Sequence, residues 1–269
     1  MNTKRIRTIG FIFVFCNFFL CSFSQTMQYS SGIFSGDGCS VVSAGNVWSI
    51  QANPAMIAFN EQSIAGVAYC TNFDITNMIC TRINACTSIK HLGLGSTLLY
   101  YGNQHYHNGT LGFCLSRKIN QRNALSITFD ANKCYNELYK STLNIYPELA
   151  YYGTQDNLSY GLHIINPFGI LGTKKDSESI FKIGCNYQIN KLFSFASSVQ
   201  YNSNTGTTFS IATRYNYKDK IVSCLSYQNS QNPIALSVQL PIGNLTCFYE
   251  TILNLYLGLS HTIMFSFTL

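Results

Sequence analysis

Apolar and polar residues alternate one by one along most of the chain beyond residue 60. In the segment 180–189, the odd positions carry Phe, Ile, Cys, Tyr and Ile, whereas the even positions from 182 carry Lys, Gly, Asn and Gln. The segments 234–242 and 262–269 show the same pattern. Successive side chains of a strand point to opposite faces, whereas a helix would repeat every three to four residues. The alternation therefore predicts β-strands that each have one apolar face.

Fourteen candidate strands follow one another along the chain. They span 62–72, 78–87, 92–101, 105–117, 122–132, 144–153, 157–166, 178–189, 191–202, 206–217, 220–229, 233–242, 244–251 and 259–269. Their second face is rich in Ser, Thr, Gly, Ala, Asn and Gln, and has few of the charged residues that a soluble β-sandwich turns to water. This pattern favours an all-β fold, a transmembrane antiparallel β-barrel of about 14 strands with a narrow polar lumen.

The predicted connections alternate in length. Long ones follow odd-numbered strands, at 132–143, 168–177 and 253–258, and short ones follow even-numbered strands, as at 154–157 and 243–244. Bacterial barrels have short periplasmic turns and longer external loops. An even number of strands with both chain ends on the periplasmic side satisfies this pattern.

The overall composition supports a membrane protein. Only 10% of the residues are charged, whereas 46% are hydrophobic and 14% are aromatic, and a typical soluble domain has about 25% charged residues. The aromatic content excludes a disordered chain. Beyond residue 24 no apolar run reaches the roughly 18 residues that a transmembrane helix needs, which excludes a helical bundle. Tyrosines gather near the ends of the predicted strands, where interfacial girdles are expected.

Residues 1–24 have the form of a secretory signal peptide. Three basic residues within 4–7 precede an apolar stretch, and 22–24 (Ser-Phe-Ser) form a small-x-small cleavage site. We therefore expect cleavage between Ser24 and Gln25 and localisation in the outer membrane. Cleavage removes three of the 17 basic residues and none of the 11 acidic ones, so the formal charge falls from +6 to +3. No basic stripe or recognition motif indicates a nucleic-acid partner.

Cysteine and histidine spacing indicates neither a metal site nor a cofactor. Two of the 11 cysteines lie in the signal peptide, and the other nine show neither a C-x-x-C motif nor zinc-ligand spacing. Most lie in predicted strands, where cysteine acts as a small apolar residue. His105 and His107 share one strand face, but no third ligand is apparent. Because the sequence also lacks a G-x-S-x-G motif and paired carboxylates on one strand face, no catalytic residue is predicted.

Polar side chains that carry or can acquire charge are expected on the lumenal face of several strands. They are Asp130, Glu148, His163, Lys182 and Arg214. Two interpretations apply to this set. We favour mutual pairing of buried polar groups inside a filled barrel, and the alternative is a pore that selects by charge.

The segment 43–59, which reads SAGNVWSIQANPAMIAF, precedes the first predicted strand. It contains the only tryptophan, Trp48, and the triplet Asn53-Pro54-Ala55. This segment resembles the N-terminal signature of the FadL-like barrels, in the PorV/PorQ-type branch of Bacteroidetes. Short stretches that resemble the same branch recur later, at 166–169, 179–184 and 257–261. Independently of the resemblance, Pro54 disfavours helix at Asn53, so a short helix is expected within 43–52.

The resemblance implies a domain organisation. It places an N-terminal periplasmic or plug segment at 25–60, near or inside the lumen, and an outer-membrane barrel at 61–269. The structural alternative for the Asn-Pro-Ala triplet is a turn that positions the first strand. Both interpretations keep the triplet at the entrance to the barrel.

The resemblance also implies one of two non-enzymatic roles. Members of the PorV/PorQ type serve type IX-like protein secretion, with secreted cargo or secretion machinery as partners, and this is the main interpretation. FadL-like members carry hydrophobic small molecules across the outer membrane, which is the alternative. The residues themselves also leave open a closed structural barrel. In each case outer-membrane lipid surrounds the protein.

Overall fold

A closed barrel of fourteen antiparallel strands makes up most of the fold. The computed structural model of the chain describes residues 42, 46–73, 78–137, 139–168 and 178–269, so the predicted signal peptide lies outside the described residues. The strands are Ile64–Thr71 (β1), Ile79–Ile89 (β2), Leu92–Gly102 (β3), Tyr106–Lys118 (β4), Asn123–Asn136 (β5), Tyr139–Gln155 (β6), Leu158–Ile165 (β7), Ile180–Gln188 (β8), Phe193–Asn202 (β9), Gly206–Tyr217 (β10), Ile221–Gln228 (β11), Ile234–Ile242 (β12), Leu245–Asn254 (β13) and Gly258–Thr268 (β14). The predicted 14-stranded antiparallel barrel is therefore confirmed.

The first and last strands close the barrel. β1 pairs with β14 along its whole length, from Ile64 opposite Thr268 to Thr71 opposite His261. Just beyond the ladder, the N–H of Leu269 donates to the carbonyl of Ser63 over 2.8 Å. The seam therefore leaves no unpaired edge between the two terminal strands. We call the end of the barrel that carries Ser63 and Leu269 the proximal end, and the opposite end the distal end.

Period-two alternation places apolar side chains on the outside of the barrel. On β14, Ile263 and Phe265 are exposed, whereas Thr262 and Met264 are buried in the lumen. The outward side chains form a broad apolar surface that suits contact with lipid hydrocarbon. Among the described residues, no helix is both long and apolar enough to cross a membrane.

The β5–β6 connection differs from its predicted form. The loop expected at 132–143 is wrong, because β5 continues to Asn136 and β6 begins at Tyr139. A register shift between Cys134 and Asn136 marks an irregularity near the tip of this hairpin. Consecutive residues from 141 to 145 are all exposed, so neither face is covered by the rest of the protein. The segment 136–142, which reads NELYKST, lacks the apolar alternation that reveals the other strands.

A short helical segment lies inside the barrel. It consists of one helical turn at Ser49–Ala52 (α1) and a 3₁₀ helix at Pro54–Phe59, and we call residues 46–60 the plug. The 3₁₀ helix contacts β2 to β6, so the plug rests on one side of the lumen. The short N-terminal helical segment expected from the sequence is therefore present.

The lipid-facing surface gives a prediction about stability. Phe129 lies near the middle of β5, opposite Phe113 of β4, and is 53% exposed. The change Phe129→Arg is expected to destabilise the folded protein by about 2–4 kcal/mol, because arginine near the bilayer midplane loses its hydration. Equilibrium unfolding from lipid vesicles measures this change.

Ile119 provides the matched control. It is also exposed, at 58%, but lies in the turn that follows β4. Ile119→Arg is expected to change the free energy of unfolding by only about 0–1 kcal/mol, as near an interface. Equal effects of the two substitutions would contradict the assignment of Phe129 to the lipid-facing surface.

Candidate functional site

Asn53 fixes the plug to the barrel wall. Its backbone is extended, with φ −159° and ψ 97°, and its side-chain Oδ1 accepts from the N–H of Ala55 over 3.1 Å. Its Nδ2 donates to the carbonyl of Tyr151 on β6 over 2.9 Å. The amide side chain can do both because it carries an acceptor and a donor. Asn53 therefore caps the 3₁₀ helix and also bonds the plug to the wall.

The other two residues of the triplet have local roles. Pro54 occupies the first turn of the 3₁₀ helix, where its missing N–H leaves no broken hydrogen bond. Ala55 is fully buried in a cluster with Ala124, Ala150 and Tyr152 of β5 and β6. A larger side chain at this position would push the plug away from the wall. The triplet therefore both ends α1 and docks the plug.

Lumenal glycines make room for the plug. A Cβ atom added at Gly93 would lie 2.8 Å from the backbone nitrogen of Ala58, and one added at Gly95 would lie 2.9 Å from Cδ1 of Ile57. On β1, a Cβ added at Gly66 would lie 3.0 Å from the ring of Trp48. These approaches are closer than a side chain tolerates. The wall is thus shaped to the plug at each of these positions.

Trp48 belongs to the core that the plug shares with the wall. It is 3% exposed and packs in one apolar cluster with plug residues Val47, Ile50 and Ile57. Lumenal residues of the wall complete the cluster, among them Leu99, Phe248, Met264 and several cysteines. Since an indole ring buries a large apolar area, Trp48 contributes strongly to holding the plug in place.

A row of titratable side chains follows the lumenal wall beside the plug. We call this row the charged belt, and it consists of Arg82 (β2), Asp130 (β5), Glu148 (β6), His163 (β7) and Lys182 (β8). All five are at most 7% exposed. The strand register places His163 directly opposite Lys182. Asp130 and Glu148 are hydrogen-bonded to each other, and Arg82 and Lys182 bring positive charge to these carboxyls. Buried charges are tolerated when they are paired in this way.

His163 connects the charged belt to the plug. Its ring is fully buried, with Nε2 3.0 Å from Oε2 of Glu148 and Nδ1 3.1 Å from the carbonyl oxygen of Ala52. Ala52 is the last residue of α1, so its carbonyl has no partner within the helix. One imidazole therefore bridges the wall and the plug.

The charged belt and the plug line a small, partly open cavity of about 60 Å³. Its lining combines polar residues, among them Gln51, Thr128 and Asp130, with apolar residues such as Ile165 and Ile180. The side-chain oxygen of Thr128 and Oδ1 of Asp130 are buried without a hydrogen-bond partner among the described residues. An apolar cavity of about 150 Å³ accommodates benzene, so this cavity is too small for an aromatic ring in the present arrangement.

Arg214 lies apart from the charged belt. It is on β10, where its guanidinium donates to Oε1 of Gln239 over 3.4 Å. The structure thus brings together four of the five lumenal candidates, Asp130, Glu148, His163 and Lys182, and not the fifth. Arg82 was not among the candidates predicted from the sequence, although it is the only charged residue on β2 and falls on the polar face of the alternation.

The two histidines considered for metal binding have other partners. His105 bonds to Glu137 across the tips of two connections at the distal end. His107 stacks between Tyr100 and Tyr135, with ring centroids 5.8 and 4.7 Å away. No cluster of three or more metal-ligating side chains occurs within the described ranges.

The cysteines within the described ranges are thiols. Cys70, Cys80, Cys86, Cys114 and Cys224 are buried on the lumenal faces of their strands. They fill space as small apolar side chains. Cys39 lies outside the described residues.

Among the described residues, β6 lacks a pairing partner on one side over part of its length. β6 pairs with β5 from Tyr139 onward, but with β7 only from Glu148 to Gln155. The last bond on the β7 side is donated by the N–H of Asn166 to the carbonyl of Pro147 over 2.9 Å. Backbone groups alternate between the two neighbours of a strand, so those of Leu143 and Ile145 point to the same side as Pro147. No described strand pairs with them there, and we call this edge the wall gap.

The rim of the wall gap is held by polar contacts between the ends of β7 and β8. Nδ2 of Asn166 donates to the carbonyl of Glu178 over 2.9 Å, and the Ser179 hydroxyl donates to the carbonyl of Asn166 over 2.8 Å. Burial raises the pKa of the Glu178 carboxyl above its usual range, while a hydrogen bond from Asn202 opposes the shift. These bonds define where the continuous wall ends.

Comparison with solved structures shows a shared fold. The toluene transporter TbuX of Ralstonia pickettii matches with a TM-score of 0.64 at 8% identity, over 87% of this chain and 99% of that chain. The toluene transporter TodX of Pseudomonas putida matches with a TM-score of 0.61 at 9% identity, over 86% and 95% of the two chains. A FadL homologue of Pseudomonas aeruginosa matches with a TM-score of 0.54 at 10% identity, over 92% and 99%.

Sequence comparison adds no family assignment. No protein-family model matches the chain, and no curated protein matches it either. The three structural matches are named as toluene transporters or as a FadL homologue. They therefore give no support to the PorV/PorQ branch within the broader FadL-like resemblance.

The two bonds made by Asn53 give a prediction about the plug. Asn53→Ala removes both bonds and is expected to destabilise the docked plug by about 1–3 kcal/mol. Amide hydrogen exchange in residues 46–60, followed by mass spectrometry, should accelerate by roughly 5- to 150-fold, since about 1.4 kcal/mol corresponds to a factor of ten.

Asn53→Asp separates the two bonds. The carboxylate still accepts from the N–H of Ala55, but its second oxygen faces the carbonyl oxygen of Tyr151 as a buried charge, so an acceleration at least as large as that of Asn53→Ala is expected at neutral pH. Exchange in β10–β12, which lie across the barrel from β2–β6, serves as the internal reference. Unchanged exchange in both variants would show that Asn53 does not hold the plug.

Proposed function

We propose that this protein is an outer-membrane channel that admits small hydrophobic molecules and is closed by its plug in the present arrangement. The observation that carries the proposal is the wall gap beside Leu143 and Ile145. A pore for polar solutes needs no opening in its wall. An apolar molecule, in contrast, lowers its free energy by leaving the lumen sideways into lipid.

The lumenal cavity lies next to the wall gap. Tyr146 and Ile165 line the cavity, and they are the sequence neighbours of Pro147 and Asn166, which make the last bond between β6 and β7. Ile180 on β8 adds a third apolar lining group at the same place. A molecule that reaches the cavity therefore has an apolar path of only a few residues to the wall gap.

The plug accounts for closure. The cavity is too small for an aromatic ring while Ile50 and Gln51 of the plug line it. Passage therefore requires the plug to shift away from β2–β6. The toluene transporters that share the fold support a hydrophobic substrate class. At 8–9% identity, the similarity itself covers only the architecture.

A bulky side chain in the apolar path tests the route. Ile165→Trp is expected to lower toluene uptake several-fold, because the indole fills the space between the cavity and the wall gap. Uptake is measured with labelled toluene in cells that carry the protein in an outer membrane whose lipopolysaccharide slows hydrocarbon entry.

Thr208→Trp is the matched control. Thr208 is half-buried on the lumenal face of β10, three strands away from β7, and does not line the cavity, so the same enlargement should leave toluene uptake unchanged. Both variants are compared at equal amounts of folded protein, judged by the heat-dependent gel mobility of barrels. If cells with the wild-type protein take up no more toluene than cells lacking it, the channel proposal is overturned.

A role in protein secretion is the second candidate, and one observation favours it. The unpaired edge of β6 at Leu143 and Ile145 can accept an extended peptide as an additional strand. Both side chains are exposed, at 63% and 69%. This edge therefore suits a segment of secreted cargo in an extended conformation.

Deleting the gene separates the candidates. The channel proposal predicts lower toluene uptake and an unchanged surface proteome, because the substrate would then be a small apolar molecule. Secretion predicts loss of specific surface proteins with unchanged uptake. If neither readout changes, the barrel has a structural role, and both transport and secretion are wrong.

A further inference from the structure

We infer that His163 and Glu148 form a proton-dependent clamp that holds the plug closed. The inference rests on the proposed function in one respect, because it treats the plug as the gate of the proposed channel. The contacts themselves are direct, since the imidazole touches Glu148 through Nε2 and Ala52 through Nδ1.

The two contacts fix where the protons are. A carbonyl oxygen only accepts hydrogen bonds, so Nδ1 of His163 carries a proton when it bonds to Ala52. The 3.0 Å contact between Nε2 and the Glu148 carboxyl needs one more proton between them. The pair is therefore either imidazolium with carboxylate or neutral imidazole with carboxylic acid, and both forms hold the same number of protons.

Loss of the shared proton to hydroxide or water breaks the clamp at a defined place. A neutral imidazole has one N–H, which bonds more strongly to a carboxylate than to a carbonyl. The remaining proton therefore settles on Nε2, facing Glu148. The lone pair of Nδ1 then faces the carbonyl oxygen of Ala52, and this contact becomes repulsive. The wall keeps its hydrogen bond, and the plug loses one.

Other charged groups face the pair and set the pH at which the proton leaves. Asp130 is hydrogen-bonded to Glu148, Lys182 lies opposite His163 on β8, and Arg82 interacts with both carboxyls. The hydroxyl of Tyr146 is close enough to Arg82 to interact with it as well, and the thiol of Cys114 on β4 interacts with both Glu148 and Asp130. The plug adds none, because residues 46–60 contain no titratable side chain.

Glu148→Gln isolates the shared proton. The glutamine amide donates to Nε2 of His163 and does not itself titrate. The ring proton therefore stays on Nδ1, and the clamp remains closed at every pH. Asp130, Lys182 and Arg82 are all still present in this variant. A pH response that the wild type shows and Glu148→Gln lacks therefore requires the Glu148 carboxyl and does not arise from Asp130, Lys182 or Arg82 alone.

Trp48 reports the position of the plug directly. It is the only tryptophan of the chain and is buried within the plug. Quenching of its fluorescence by acrylamide is measured for the full-length mature protein in detergent micelles from neutral to alkaline pH. The wild type is expected to show a several-fold rise in the quenching constant, and Glu148→Gln a low, constant value. His163→Leu should be quenched strongly at every pH.

The outcomes decide the proposal independently of transport. A wild type whose quenching does not change with pH, or a Glu148→Gln variant that responds like the wild type, would overturn the clamp. If His163→Leu fails to fold, the comparison between the wild type and Glu148→Gln still gives the answer. Arg214→Gln, on β10 and remote from the plug, should follow the wild type. Because no substrate is present, a failed toluene assay leaves this result unaffected.

Discussion

Lipid offers no hydrogen bonds to a polypeptide backbone, and the rest of this structure depends on that constraint. Fourteen strands satisfy it by closing on themselves, with β1 paired to β14. Closure turns alternate side chains outward into an apolar surface and inward into a confined space. The inward positions are then free to be polar, provided that they satisfy one another. The charged belt is the result, with Asp130, Glu148 and His163 bonded in sequence beside Lys182.

The fold could be predicted from the sequence because its signal is local. Alternation in β12 or β14 needs only neighbouring residues to be read. The same signal fails near the tip of the β5–β6 hairpin, where the segment 136–142 shows no apolar alternation. Strand prediction therefore succeeds where the lumen covers one face and fails where the protein covers neither face.

The candidate site was less accessible to sequence reasoning, because its contacts are made between distant residues. The polar alternation identified Asp130, Glu148, His163 and Lys182 as candidates for the lumen, but not their order around the wall. Arg214 carries the same local signal and lies elsewhere in the lumen. The contact between His163 and the backbone of Ala52 depends on where the plug docks, and no local pattern encodes that position. Likewise, the wall gap follows from β7 being shorter than β6, which strand periodicity alone does not reveal.

The anchoring of the plug to strands in the middle of the chain has a consequence for the order of folding. Asn53 bonds to a residue 98 positions further along the chain, and Ala52 to one 111 positions away. The docking surface therefore does not exist until β6 and β7 have joined the growing sheet, although the plug precedes every strand in sequence. Contacts of such large separation form late and slowly. The plug therefore remains undocked, with its apolar face exposed, until the strands that anchor it have assembled.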